Sequence, residues 1–349
     1  MSKLNLLYLT GSPESDFFCN LSRLYAQDSI QAIAKNPNYD ILIAYITPDG
    51  NWKFPNSLSF EDIADSQPIS LPDAIAWIRT KNINVIVPQM FCIPGMTHYR
   101  ALCDVLKIPY IGNTPEVMSI TANKAKAKAI VAAAGVKVPQ GEVLRPGDIP
   151  SIAPKAVVKP ATSDNSLGVS LVKDTQEYET ALKEAFQYSE TVIVEEYIEL
   201  GREVRCGVIE KEGELIGLPL EEYLVDSKNK PVRDYADKLK LGDDGNLQFT
   251  AKDGIKSWIV DTKDPITEKV QTAAKKCHQA LGCRHYSLFD FRIDPNGEPY
   301  FLEAGLYCSY SPKSVIPSMA KTAGISLNEL LEIAIKETLK SGVRSQEKE

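Results

Sequence analysis

The 349-residue chain has no surplus of positive charge: 39 Lys and Arg stand against 46 Asp and Glu, a formal charge of −7. Without a basic patch or stripe it carries no electrostatic footprint for nucleic acid or for an anionic membrane surface. No apolar run approaches the length needed to span a bilayer, and the opening residues MSKLNLLYLTGSPES have no small-residue cleavage pattern, so they read as a first strand entering a turn. The seven cysteines are scattered and never spaced as C-x-x-C, which argues against a disulfide framework and for a reducing, cytoplasmic setting. Cys277, His278, Cys283 and His285 are the tightest group of zinc-ligand types, but their spacing fits no familiar site and core packing is the plainer reading. Internal repeats and low-complexity segments are also missing. What remains is 44% hydrophobic and 24% charged, a globular composition, with length enough for two or three domains.

The first hundred residues alternate strand-like runs (4–10, 40–47, 83–88) with helical patterns starting near Phe17 and Leu71. Such alternation predicts a parallel sheet covered by helices. Asn113-Thr114-Pro115 punctuates this unit, and a helical run that opens at Thr121 stops at Gly135. From 137 to 197 the pattern is strand, strand, glycine-containing loop, strand, helix, strand, an α+β module. Further on the spacing predicts a strand over 203–209, a polar loop over 226–245, a helix over 265–281, strands over 286–294 and 298–304, and closing helices from Ser314 and Ser326, with a frayed end at KSGVRSQEKE.

Lys159 ends an apolar strand and precedes a loop with Ser163, Asn165, Ser166 and Gly168, a cation beside backbone N–H groups that can cradle phosphates; a solvated strand end is the alternative. The segment VIVEEYIELGREVRCGV follows an apolar wall with Glu195, Glu196, Tyr197, Ile198 and Glu203, a pattern that can hold adenine against backbone and ribose against an acid. Asp290 in FDFRID and Glu303 in EPYFLEAG fall on two neighbouring strands, where period-2 alternation lets both point one way. Two acids converging on phosphate oxygens suit Mg²⁺, although each taken singly is as readily a surface residue.

In this order and spacing the set resembles the ATP-grasp superfamily, and within it the D-alanine–D-alanine ligase family. NKAKAKAIVAAAGVKVP, VVKPATSDNSLGVSLV, VIVEEYIELGREV, DYADK, FDFRIDPNGEPYFLEA and SVIPSMAKTAGISLNELL carry the resemblance over essentially the whole chain. It implies an α/β three-domain fold in which an N-terminal parallel α/β substrate domain (1–113) precedes two α+β units (114–198 and 199–349) that clasp ATP. It further implies that Lys124, Lys159 and Lys238 contact phosphates, that Ser166 and Gly168 belong to the loop over them, and that Lys238 and Ser166 act in catalysis. Glu195, Tyr197 and Ile198 would frame adenine, Glu203 would hold ribose, and Asp290 and Glu303 would carry Mg²⁺. Lys126 and Lys128 are read as a solvated helix face, the polar loop over 226–245 as a lid, and a homodimer as an expectation from relatives alone.

Departures from that family narrow the chemistry. A dipeptide ligase of this family would have Arg at position 288 and Asn at position 305, where this chain has Leu288 and Gly305, and its D-alanine stretch is replaced by PQMFCIPGMTHYR. The loop after Glu303, LYCSYSPKS, is also more aromatic than the family's. An arginine that stabilises a tetrahedral oxyanion is worth roughly 3 kcal/mol, so its replacement by leucine suggests that no such oxyanion forms. A vinylogous amide fits instead: phosphorylating its oxygen makes the adjacent carbon cationic, and amine attack then removes charge. PQMFCIPGMTHYRAL, SDNSLGV and LPLEEYLVD are similar to a divergent branch, the D-Ala–D-Ala ligase-like enzymes of mycosporine-like amino acid biosynthesis. That resemblance implies a carbon–nitrogen ligase that uses ATP and Mg²⁺ to join an amino acid such as serine or threonine to mycosporine-glycine.

Candidate substrate contacts are then Gln89, Met90, His98, Tyr99 and Arg100 in the first domain and Tyr307, Tyr310, Lys313 and Ser314 in the last. The alternatives are a plain helix start for His98, a surface pair for Arg100 and a helix cap for Lys313 and Ser314. Two other functions stay open: an amino-acid or dipeptide ligase working through an acyl phosphate, and a non-catalytic ATP-binding module, for which Gly305 is the best argument.

Overall fold

The computed structural model describes residues 3–163, 167–225, 239–241, 247–249, 257–312 and 314–346. Its first sheet grows from near-continuous apolar runs, which suit strands buried on both faces. β1 (Leu4–Gly11) lies at the centre, parallel to β2 (Tyr39–Ile46) on one side and β4 (Val85–Pro88) on the other, with the short β3 (Trp52–Lys53) antiparallel at the edge. The intervening helices are α1 (Asp16–Ile33), α2 (Phe60–Asp65) and α3 (Leu71–Arg79), each started by a serine whose hydroxyl accepts from a first-turn N–H. After β4 come α4 (Ile93–Met96) and α5 (His98–Val105).

Thr114 caps α6 (Pro115–Ala122) and Asn123 caps α7 (Lys124–Ala133), so the helical run predicted from Thr121 is two helices broken at an asparagine cap, with Gly135 turning at φ +78° beyond the second. A second, antiparallel sheet follows, in the order β5 (Gly141–Leu144), β8 (Val192–Glu196), β6 (Ala156–Pro160), β7 (Ser170–Val172). A short 3-10 turn (Thr175–Glu177) and α8 (Tyr178–Ala185) cover it.

The third sheet has β9 (Arg202–Lys211), paired on one side by β11 (Glu221–Tyr223) and on the other by β15 (Tyr286–Ile293), with β10 (Glu214–Gly217) also on β9. β12 (Leu239–Leu241) and β13 (Leu247–Phe249) form a separate two-stranded pair. β14 (Ser257–Ile259) and β16 (Pro299–Ala304) close the two edges of the third sheet, backed by α9 (Ile266–Ala280). α10 (Val315–Thr322) and α11 (Leu327–Gln346) complete the chain; Leu330, Leu331, Ala334 and Ile335 of α11 join the buried core, and the helix runs on to Gln346 where the sequence predicts fraying from Lys340. Among the described residues no helix is long and apolar enough to cross a membrane.

One apolar cluster joins Leu6 and Tyr8 of β1 to Ile209 of β9, Tyr286 of β15 and Leu331 of α11, so the first and third sheets are packed together. Each such side chain contributes about 1.5–3 kcal/mol on burial. A buried polar network reinforces the same junction. Asn113 donates to the carbonyls of Tyr286 and Leu306 at 3.0 and 3.3 Å, and its own side-chain oxygen accepts from Arg284 N–H at 2.9 Å. The Gly112 N–H donates to His285 Nδ1 at 2.9 Å, and Glu210 accepts from the His285 backbone at 2.7 Å. Cys277 and Cys283 are buried in the apolar core, while His278 faces Ser287 and Glu210. The four zinc-ligand types near residue 280 are thus taken up by packing and by this network.

Candidate functional site

On the face of the third sheet turned away from α9, side chains form rungs across the strands. β15 alternates inward Phe289 and Phe291, both fully buried, with Leu288 and Asp290 on the opposite face. The middle rung is charged: Glu221 of β11 lies opposite Arg205 of β9, Arg205 opposite Asp290 of β15, and Asp290 opposite Glu303 of β16. Arg205 Nε is 3.1 Å from Asp290 Oδ1, its Nη1 is 3.8 Å from Glu221, and its guanidinium sits 4.5 Å over the Tyr223 ring. Burial favours a neutral Arg205, but the Asp290 and Glu221 carboxylates outweigh it and hold the group firmly charged. On one side of this rung Arg292 faces Glu203 at 3.8 Å. On the other side the rung is apolar, with Leu288 opposite Gly207 and the Gly305 N–H donating to the Leu288 carbonyl at 2.8 Å.

Two cavities meet at the charged rung. The first runs between the second and third sheets past Lys159, Glu195, Ile198, Glu203, Asp290 and Glu303. The second, of about 580 Å³, opens toward α1 and the segment after β4. Lys124, Ser163, Asp290 and Glu303 line both. Lys124 is the first residue of α7; its ammonium donates to the Ser163 carbonyl and lies 3.6 Å from Glu303. Gly168 has φ +69°, and a Cβ there would sit 2.8 Å from the Tyr188 ring, so the turn of the loop after β6 admits only glycine.

Behind the first cavity, Glu195 bridges two lysines, with Lys128 Nζ at 2.7 Å and Lys159 Nζ at 2.5 Å. Burial raises the affinity of Glu195 for a proton, yet the two ammonium groups hold its carboxyl below the usual carboxylate range. Burial also lowers Lys128 to about 8, against the pull of Glu195. The expectation that Lys128 lies on a solvated helix face is therefore overturned: it is only 7% exposed, because α7 turns that face to β16 and β8. Lys126 is exposed as expected.

The candidate residues divide sharply. Lys124, Lys159, Glu195, Ile198, Glu203, Asp290 and Glu303 all line the first cavity, whereas Tyr197 turns its ring onto Lys155 and Arg292, 5.7 and 5.2 Å away. Tyr307 and Ser314 line the second cavity; the Ser314 hydroxyl donates back to the Ser311 carbonyl and leaves the first turn of α10 uncapped. Tyr310 is 2% exposed and packs edge-on against Tyr286, so it is core. None of the five first-domain candidates lines either cavity. Gln89 is fully buried and donates to the Cys308 carbonyl, Met90 is core, and Tyr99 packs on Trp52. Arg100, 1% exposed, spends its guanidinium on the Ile111 and Asn113 carbonyls, and His98 is exposed at the start of α5. The residues between them, Phe91, Ile93 and Met96, face the cavity instead, because α4 is a single turn that reverses the exposed side. Ser166, Lys238 and Lys313, with nearly all of 226–245, lie outside the described residues.

Of the aromatic wall, sequence reasoning found Tyr307 and missed the rest. Phe17, Phe18 and Tyr25 of α1 reach the second cavity, and Tyr25, Phe91 and Tyr307 form a chain of edge-on rings at 5.2 and 5.6 Å. The signal was present, since Phe18 and Tyr25 are seven residues apart on one helix face. Arg205 was legible in the same way, two residues after Glu203 on one strand.

Asp290 and Glu303, side by side in register, supply the oxygen donors that a hard cation takes, and among the described residues no third His, Cys, Asp or Glu joins them to make a protein-only cage. That donor set fits Mg²⁺ held jointly with phosphates.

The sequence matches the model of the D-ala D-ala ligase C-terminus over residues 152–336. A D-alanine–D-alanine ligase from Trichlorobacter lovleyi is 32% identical over 265 residues, 72% of this chain and 75% of that protein. Among solved structures, the VanG D-Ala:D-Ser ligase of Enterococcus faecalis superposes with a TM-score of 0.78 at 23% identity, covering 97% of this chain and all of that one. The D-alanine–D-alanine ligase of Bacillus anthracis complexed with ATP gives 0.71 at 19% identity, over 98% and 99% of the two chains. This chain belongs to the D-alanine–D-alanine ligase family, has the ATP-grasp fold, and is an ADP-forming carbon–nitrogen ligase.

Proposed function

We propose that this ligase phosphorylates the ring oxygen of a cyclohexenone-type acceptor, mycosporine-glycine, and joins the activated ring carbon to the amine of a small amino acid such as serine or threonine. The observation that carries the reading is the second cavity: an aromatic wall of Tyr25, Phe91 and Tyr307 faces the Asp290–Glu303 pair across an apolar rung of Leu288 and Gly305. Such a wall holds a ring-shaped acceptor by burying its apolar surface, at roughly 25 cal/mol per Å². Neither Leu288 nor Gly305 offers a side-chain donor to the oxyanion an acyl phosphate would generate. In the proposed route the ring oxygen bonds to the γ-phosphorus and ADP leaves with the electron pair. The amine nitrogen then bonds to the cationic ring carbon, phosphate departs with the C–O pair, and the two amine hydrogens leave as protons.

In this reading Lys124 and Lys159 hold phosphates, Ile198 walls the adenine, Glu203 takes the ribose, and Tyr307 and Ser314 border the acceptor. Asp290 and Glu303 hold Mg²⁺, which supplies charge neutralisation on the transferred phosphoryl group. The segments 1–113, 114–198 and 199–349 are the corresponding units, one around each of the three large sheets.

A dipeptide ligase using an acyl phosphate is the second reading, and the curated relatives named D-alanine–D-alanine ligase favour it. Phosphate release from ATP, measured with mycosporine-glycine plus single amino acids in one panel and paired D-alanines in another, separates the two. Release with the ring acceptor and an amino acid, and none with paired D-alanines, is the expected result; the converse restores the dipeptide ligase.

A further inference from the structure

We propose that Arg205 is a catalytic residue: its guanidinium contacts the γ-phosphoryl group from the acceptor side of the charged rung, opposite the ammonium of Lys124. Arg205 lines the second cavity while Lys124 lines both, so the two cations flank the Asp290–Glu303 junction where the cavities meet. Glu221 lies on its far side and Tyr223 below it, at 3.8 and 4.5 Å, so the guanidinium is a pre-aimed group with little rotamer freedom left to lose. It is the arginine on the wall of the acceptor cavity among the described residues.

The charge count gives the reason. Glu221, Asp290 and Glu303 place three carboxylates along one rung, and a transferred phosphoryl group adds further negative charge at the same place. Lys124 and the Mg²⁺ that Asp290 and Glu303 would hold offset those three carboxylates but leave the phosphoryl charge itself without a partner. As the acceptor oxygen bonds to the γ-phosphorus and the bridging oxygen leaves with ADP, charge spreads over the equatorial oxygens, where a planar fork of N–H donors is well matched. The inference rests on phosphoryl transfer from ATP and on no particular acceptor.

Calorimetry with Arg205→Gln and Arg205→Lys tests it without turnover. The probes are ADP and a β,γ-imido analogue of ATP, each with Mg²⁺ and without acceptor, so a wrong substrate assignment leaves the result unaffected. The expected result is that Arg205→Gln weakens the imido analogue at least tenfold and ADP by less than twofold, with Arg205→Lys in between. Turnover, with whichever acceptor releases phosphate, should fall on the order of 10²-fold in Arg205→Gln, as for loss of one preorganised donor. Equal weakening of both nucleotides would overturn the proposal, as would unchanged affinity for the imido analogue. Recovery of turnover at high Mg²⁺ would also overturn it, because Arg205 would then be only a positioning residue for Asp290. If Arg205→Gln does not fold, the charge-retaining Arg205→Lys carries the same comparison of the two nucleotides.

Discussion

Glu195 is the residue on which the charge at the first cavity turns. Two ammonium groups against one carboxylate leave the Lys128–Glu195–Lys159 cluster with one net positive charge toward the first cavity. Lys128→Met would cancel it, and the expected outcome is a KM for ATP raised about tenfold with kcat changed far less, measured by steady-state phosphate release. Because Lys128 loses its proton at about 8, the wild-type KM for ATP should rise as pH climbs through that value, and this rise should be missing in Lys128→Met. Asp290→Asn should lower turnover at least tenfold, about 1.4 kcal/mol of barrier. Gly305 has room: a Cβ there would meet only Leu288 Cδ2, at 3.9 Å. Gly305→Asn should therefore fold with a nearly unchanged melting temperature, which calorimetry reads directly.

At the scale of elements, strands were the most legible part of the chain. β1, β2, β4, β8 and β15 declare themselves as short apolar runs bounded by turn residues, and Asp290 and Glu303 sit opposite one another beside a bulge between Asp290 and Phe291 that interrupts the simple alternation. The short β3, β10 and β11 were not legible, since two to four residues carry no period. The stretch from Gln89 to Arg100 misled for another reason: one turn of helix at α4 and a second helix start at His98 rotate the exposed face, so Phe91 and Met96 reach the cavity and Arg100 turns to backbone carbonyls. The junction between the first and third sheets depends on such backbone partners. Asn113→Ala leaves three buried backbone groups unpaired and should cost about 1–3 kcal/mol or more in denaturant unfolding. His285 is lowered to about 3 by burial and by the nearby Arg284 charge. A folded state that keeps this ring neutral is favoured above the unfolded value near 6.5 and loses that advantage as pH falls from there toward 3. Melting temperature should accordingly drop across that window in the wild type, and less steeply in His285→Gln.

On the scale of the whole molecule, function follows from where three sheets leave space. The second and third sheets enclose a cleft rich in lysine and carboxylate, while the first and third enclose an aromatic cavity, and they share Lys124, Ser163, Asp290 and Glu303. The residues lining the first cavity were readable in the sequence because charged residues at strand ends are conspicuous; of the second only Tyr307 and Ser314 were, because its wall is assembled from a helix near residue 20, a turn near 91 and a loop near 307. Leu288→Arg places a cation on the apolar rung of the second cavity and should reduce turnover with the ring acceptor at least tenfold, by steady-state assay. The central claim, that the oxygen phosphorylated is the acceptor's ring oxygen, is tested most directly by labelling that oxygen with ¹⁸O and weighing the phosphate released during ligation to serine. One ¹⁸O per phosphate is the predicted result; unlabelled phosphate, with the label kept in the product, would contradict the account.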